Sequence, residues 1–123
     1  MNIHASAEDY LETILVLKQR MGDVRSIDIV NELNYSKPSV SIAMKKLREN
    51  GYISMDKDGT IHLLEPGREI AEKIYGRHKI LKELFMNLGV DEETAGRDAC
   101  MVEHDLSEVT FEKIKAYCEK TLK

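Results

Sequence analysis

Between Arg97 and Ser107 the chain reads RDACMVEHDLS, which sets a thiol at Cys100, a carboxylate at Glu103 and an imidazole at His104. A helix advances about 3.6 residues per turn, so positions three and four apart share a face and these three side chains would converge on one point. Thiolate, carboxylate and imidazole together form a donor set for a divalent transition metal. Three polar residues on one face are equally well explained as a solvated surface, so the reading turns on what else can reach them. Three further donors lie elsewhere: Asp9 and Glu12, spaced i, i+3 beside an apolar stripe, and His78 in a long helical stretch. Each has a bland explanation of its own. First-turn acids are favoured by the helix dipole, and a surface imidazole needs no ligand.

The elements that must position these residues are mostly helical. SAEDYLETILVLKQR carries Tyr10, Ile14 and Leu17 at helical spacing, with Ser6 as its expected cap and Met21-Gly22-Asp23 as its end. SIDIVNELN predicts a short second helix with Ile29, Val30 and Leu33 inward, and Asn34-Tyr35 a tight connection. Ser36 is suited to cap a third helix, KPSVSIAMKKLREN, with Pro38 in its first turn, Val40, Met44 and Leu47 as its buried stripe, and Gly51 as its stop. The period then switches. YISM and TIHLL are short apolar runs joined by DKDG, a hairpin pattern. Beyond Pro66 a long helix is expected up to Gly89, followed by two more helices capped by Asp91 and by Ser107 or Asp105, the last carrying Phe111, Ile114, Tyr117 and Cys118.

Three helices with a tight turn between the second and third, followed by a hairpin, is the order of a winged helix-turn-helix. With Val40 buried, the opposite face of the third helix holds Pro38, Ile42, Lys45 and Glu49, flanked by Ser41 and Lys46. That face, together with Ser36, Lys37 and Ser39 at its start, is the candidate reader of the major groove. Hydroxyls and lysines suit phosphates and base edges, an exposed Ile42 suits a thymine methyl, and Lys57 in the wing suits the DNA backbone. A winged helix used only for protein contacts would carry the same charges as a solvated face.

The chain has 123 residues and a net charge of -4, enough length for one ordinary domain or two very small ones. An acidic total argues against nucleic acid, but Lys37, Lys45, Lys46, Arg48 and Lys57 fall in one part of the sequence, so a local basic patch survives. No apolar run approaches the roughly 20 residues of a transmembrane helix, and the polar start MNIHASAEDY lacks a signal-peptide pattern. A cytoplasmic protein without membrane partners is expected. Cys100 and Cys118 are then free thiols or metal ligands rather than a disulfide.

Taken together, AEDYLETILVL at 7–17, the helix-turn-helix, RHKIL at 77–81 and DACMVEHDLS at 98–107 resemble the diphtheria toxin repressor and manganese transport regulator family of metal-dependent transcriptional repressors. The resemblance covers nearly the whole chain. It implies a mainly α fold, with a winged helix-turn-helix over residues 1–64 and an all-helical metal-binding and dimerisation domain over 65–123. It also implies a homodimer on an inverted-repeat operator in double-stranded DNA, with no organic small-molecule substrate. Asp9 and Glu12 are similar to the first-helix carboxylates of manganese-type members, where iron-type members place a methionine at the first position. His78 resembles the shared histidine of the long helix, and Glu103 with His104 the shared pair that follows. Cys100 departs from the manganese type, which uses a glutamate there, and resembles the iron type.

This hybrid ligand set implies Mn2+ or Fe2+ as the effector, with Zn2+ or Co2+ binding in vitro. The alternative for Cys100 is a buried cysteine that offers only its backbone carbonyl. The iron-type ancillary site would need a carboxylate at Lys82 and a histidine at Gly96, so it is not expected in its usual form. With its last residue at Lys123, the chain is expected to lack the SH3-like third domain of longer members. Two other functions stay open: a metal-independent winged-helix regulator, recognised by equal DNA affinity with and without chelator, and a helical di-metal enzyme, recognised by turnover. No nucleophile or acid-base pair beyond the ligands supports the latter.

Overall fold

The computed structural model describes residues 5–121, and among them six helices and one two-stranded sheet. Residues 1–4, the start of the polar segment read above for signal-peptide character, and residues 122–123 lie outside the described residues. The chain divides into two compact units, Met1–Glu72 and Lys73–Lys123. The first holds α1 (Ala5–Met21), α2 (Ser26–Leu33), α3 (Lys37–Glu49), β1 (Ile53–Met55), β2 (Ile61–Leu63) and the start of α4 (Glu65–Asn87). The second holds the rest of α4, α5 (Glu92–Val102) and α6 (Glu108–Thr121). No helix among the described residues is long and apolar enough to cross a membrane.

In the first unit the expected stripes form the core. Tyr10, Ile14 and Leu17 of α1 meet Ile29 of α2 and Val40, Met44 and Leu47 of α3, joined by Leu11, Ile53 and Ile61. Each fully buried aliphatic side chain contributes roughly 1.5–3 kcal/mol of transfer free energy. Tyr35 packs edge-on against Tyr10, with ring centroids 5.8 Å apart. The tight turn before α3 works through Asn34, whose left-handed backbone (φ 58°) ends α2. The Ser39 amide then donates to Ser36 Oγ at 3.2 Å, so Ser36 caps α3, and Pro38 sits in the first turn. Ser6 is not a cap: α1 already includes Ala5, which places Ser6 inside the helix.

The hairpin pairs Ile53 with Leu63, Ser54 with His62 and Met55 with Ile61. Its turn is closed by the Gly59 amide donating to the Asp56 carbonyl at 3.0 Å, and Gly59 takes a positive φ of 90° before Asp56 and Thr60 pair at 2.9 Å. Asp58-Gly59 predicts a hairpin, and the one that forms has a three-residue loop, a turn followed by a left-handed glycine. Two strands alone are marginal in water. Here β2 is anchored further, the Ile61 amide donating to the Val24 carbonyl at 2.8 Å.

The long helix, expected beyond Pro66, starts at Glu65, so Pro66 lies in its first turn. Gly67 lies against the hairpin: a Cβ there would overlap the Tyr52 carbonyl oxygen and crowd Leu11. At Gly76, farther along α4, a Cβ would meet nothing within 4 Å. The two glycines should therefore respond with opposite signs. Gly67→Ala should destabilise the protein by about 1–3 kcal/mol through overpacking, whereas Gly76→Ala should stabilise it by up to about 1 kcal/mol through helix propensity. Urea unfolding followed by circular dichroism measures both, and a Gly67→Ala protein as stable as the parent would refute the close contact.

Candidate metal centre and nucleic-acid interface

In the second unit, α5 is launched by Asp91, whose Oδ2 accepts from the Thr94 amide at 2.9 Å. Ala95 and Ala99 face inward and let α5 pack closely. The helix ends at Val102, so Cys100 is on its last turn while Glu103 and His104 lie just past it. Glu103 keeps helical backbone angles and its amide still donates to the Ala99 carbonyl at 3.0 Å. The spacing read as helical is therefore preserved at Glu103, one residue past the helix proper. After the turn, the Thr110 amide donates to Ser107 Oγ at 3.1 Å, which selects Ser107 over Asp105 as the cap of α6.

The Glu103 carboxylate is fully buried, with 0% of its surface exposed. Its Oε2 lies 3.0 Å from His78 Nδ1 and its Oε1 lies 3.5 Å from His104 Nε2. The Cys100 thiol is exposed, and its Sγ lies within 4.8 Å of a Glu103 carboxylate oxygen. The structure thus brings four of the six sequence-predicted donors, His78, Cys100, Glu103 and His104, into one cluster around Glu103. The exposure of Cys100 does not fit the alternative of a buried cysteine presenting only its carbonyl. One carboxylate, two imidazoles and a thiol suit a divalent transition metal, and a buried carboxylate is costly without a positive partner. Asp9 and Glu12 are in the first unit on α1, one turn apart, Asp9 half-buried and Glu12 9% exposed.

Sequence reasoning missed Arg77. It is 5% exposed, and its Nη1 donates to two backbone carbonyls, Glu103 at 3.0 Å and Leu106 at 2.9 Å. The guanidinium also lies 5.0 Å from the centre of the Phe111 ring. The signal was present: Ile74, Arg77 and Leu81 are spaced i, i+3, i+7, so the buried stripe of α4 passes through the arginine.

In the first unit Ser36, Lys37, Pro38, Ser39, Ser41, Ile42, Lys45 and Lys46 are all exposed, Ile42 at 57%, on the side of α3 opposite Val40. Lys57 is exposed at the hairpin tip. The tip is held by the Thr60 amide, which donates to Asp58 Oδ1 at 3.0 Å, and by Arg25, 3.5 Å from Asp58 Oδ2. Those contacts, the Thr60 amide first, hold the Asp58 carboxyl below the usual aspartate range. The Ser36 hydroxyl, engaged in the cap and donating to Ser39 Oγ at 2.8 Å, is bound up in local structure.

Compared with known families, residues 2–61 match the N-terminal DNA binding domain of the iron dependent repressors, and residues 64–122 match their metal binding and dimerisation domain. The chain belongs to the iron dependent repressor family. It is a transcriptional regulator with a DNA-binding domain followed by a metal-binding and dimerisation domain, in the mainly α architecture expected from the sequence. An uncharacterised HTH-type transcriptional regulator of Methanocaldococcus jannaschii is 38% identical over 117 residues, 94% of each chain. The transcriptional regulator MntR of Escherichia coli O157:H7 is 33% identical over 113 residues, 92% of this chain and 73% of that one. Among solved structures, the manganese regulator SloR superposes with a TM-score of 0.81 at 27% identity, over 97% of this chain and 55% of its own. A manganese-dependent transcriptional repressor in complex with manganese gives 0.82 at 26% identity, over 89% and 51%. This chain therefore spans about half the length of those two solved proteins.

The Asp91 cap sets the start of the helix that carries Cys100, and it titrates. The Thr94 amide is the largest of the contacts that hold the Asp91 carboxyl below its ordinary range. A folded-state value lower than the unfolded one, about 3.9, gives stability that is present above that value and lost as pH falls through the lowered one. Asp91→Asn keeps the acceptor but cannot titrate. With chelator present, wild type and Asp91→Asn should differ less in urea midpoint at pH 3 than at pH 6. A difference that stays constant with pH would contradict this assignment.

Proposed function

We propose that this chain is a cytoplasmic, metal-activated repressor that binds an inverted-repeat site in double-stranded DNA as a homodimer, with Mn2+ or Fe2+ as its effector. The observation that supports it best is the buried Glu103 carboxylate between two imidazoles, inside the segment that matches a metal binding domain. We take residues 1–64 as the DNA-binding domain and 65–123 as the metal-binding and dimerisation domain. The proposed ligands are Asp9 and Glu12 from the first and His78, Cys100, Glu103 and His104 from the second. When bound, a divalent cation supplies the positive charge that offsets these acidic donors. Without it the carboxylates repel one another, so ligands drawn from both domains let occupancy bias the arrangement of two DNA-reading domains. The size of that bias is limited by the difference in metal affinity between the two arrangements.

The thiolate of Cys100 is a softer donor than a carboxylate and favours iron, cobalt or zinc, whereas Asp9 and Glu12 are hard donors that favour manganese. Two first-helix carboxylates, and similarity to solved proteins named as manganese regulators, put manganese slightly ahead. For the homodimer, the second unit leaves Leu88 (73%), Val109 (71%) and Tyr117 (58%) exposed, while Leu81 is spent on the local core at 1%. That apolar surface suits a second copy of this chain. A twofold dimer places its two readers on half-sites about one helical turn apart or a multiple of it. No catalytic role is proposed.

Glu103→Ala or His104→Ala should leave the dimer folded and remove metal-stimulated DNA binding. Calorimetry should show the lost metal affinity in parallel, and a full metal response in either variant would mean the site is elsewhere. On the DNA side, Lys45→Ala should weaken binding evenly across sequences and lower the salt slope by about 1, while Ile42→Ala should relax preference at one thymine. Salt titrations on matched and mismatched sites separate the two, and a uniform loss from Ile42→Ala would remove its base-reading role.

A further inference from the structure

Arg77 is directly before the proposed ligand His78 on α4, yet it is turned away from solvent. It is 5% exposed and grips the turn that follows α5, donating from Nη1 to the Glu103 and Leu106 carbonyls at 3.0 and 2.9 Å. Those carbonyls bracket His104. The same guanidinium lies 5.0 Å from the Phe111 ring centre and 3.8 Å from Glu108, both on α6. One planar cation thus touches both the Glu103–Leu106 turn and α6, the helix that follows it. The C-terminal end of a helix leaves carbonyls without intrahelical donors, and here a side chain from α4 donates to the Glu103 carbonyl as well as to the Leu106 carbonyl in the turn. A planar fork holds more than one acceptor in a fixed arrangement, which a lysine ammonium does not.

We propose that Arg77 is the positioning residue of the metal centre: its guanidinium fixes the turn backbone so that Glu103 and His104 are aimed before metal arrives. This rests on the metal-centre reading above. If the turn is preorganised, the ligands lose less freedom on binding, so removing Arg77 weakens metal affinity without removing any donor.

The test uses the full chain with Arg77→Lys and Arg77→Met, measured by calorimetry with Mn2+ and by visible spectra with Co2+. Lys73→Ala is the control, because Lys73 Nζ is 2.8 Å from Glu108 Oε2 on the same helix pair but does not touch the turn. Both Arg77 variants should bind Mn2+ at least tenfold more weakly and show an altered Co2+ spectrum, while Lys73→Ala keeps both parental. A folded Arg77→Lys with parental affinity and spectrum overturns the proposal. Should neither variant fold, the wild type decides: in the metal-free protein the Arg77 guanidinium protons should exchange far more slowly than those of exposed Arg97, and equal rates overturn it. Glu103→Ala separates the two levels. If it keeps full metal affinity, the metal-centre reading is what fails; if it loses affinity while Arg77→Lys does not, only the role of Arg77 fails.

Discussion

A carboxylate with none of its surface in water is the constraint around which the second unit is organised. Moving a carboxylate out of water costs on the order of several kcal/mol, and the cost is tolerated only where positive or hydrogen-bonding partners converge on it. At Glu103 two imidazoles are among the groups that converge, His78 at 3.0 Å from one oxygen and His104 at 3.5 Å from the other. To keep them there, α4 must bring His78 to the end of α5, and the chain must turn sharply after Val102 so that His104 follows. The small residues Ala95 and Ala99 allow close packing of α5, and Arg77 satisfies the carbonyls that the turn exposes. A site that gathers anionic and imidazole donors in this way is suited to a divalent cation.

The first unit solves a different problem with the same economy of means. Its core is built from the inward stripes of α1, α2 and α3 and the hairpin, and burying Val40, Met44 and Leu47 leaves the opposite side of α3 to solvent. The serines and lysines of that side, with Lys57 at the hairpin tip, make a local basic surface in a chain of net charge -4. Charge distribution, rather than the total, is what a polyanion such as DNA responds to at short range, because solution ions screen beyond about 10 Å at 0.1 M salt.

Much of this was legible in the sequence because local chemistry dictates it. Ser36, Asp91 and Ser107 each place a side-chain oxygen where a helix needs an acceptor, and all three cap helices. Asp58-Gly59 marked the hairpin because only a residue tolerant of positive φ suits the observed 90°. Tyr10, Ile14 and Leu17 were found from period alone. What was not legible depends on tertiary packing. Ser6 has the composition of a cap but lies inside α1, which already includes Ala5. Arg77 was overlooked because arginine is read as solvent-facing, although its place in the stripe of Ile74 and Leu81 marked it as buried. That Ser107 rather than Asp105 caps α6 depended on how the turn after Glu103 is held.

The central claim, that metal occupancy governs DNA recognition, is tested most directly by selecting sites from a random double-stranded DNA pool with the full chain. The selection is run at buffered free Mn2+, Fe2+, Co2+ and Zn2+ and in parallel with chelator. The account predicts enrichment of one inverted-repeat sequence at low free Mn2+ or Fe2+ and its loss when chelator is added. Enrichment of the same sequence to the same extent with chelator would contradict it.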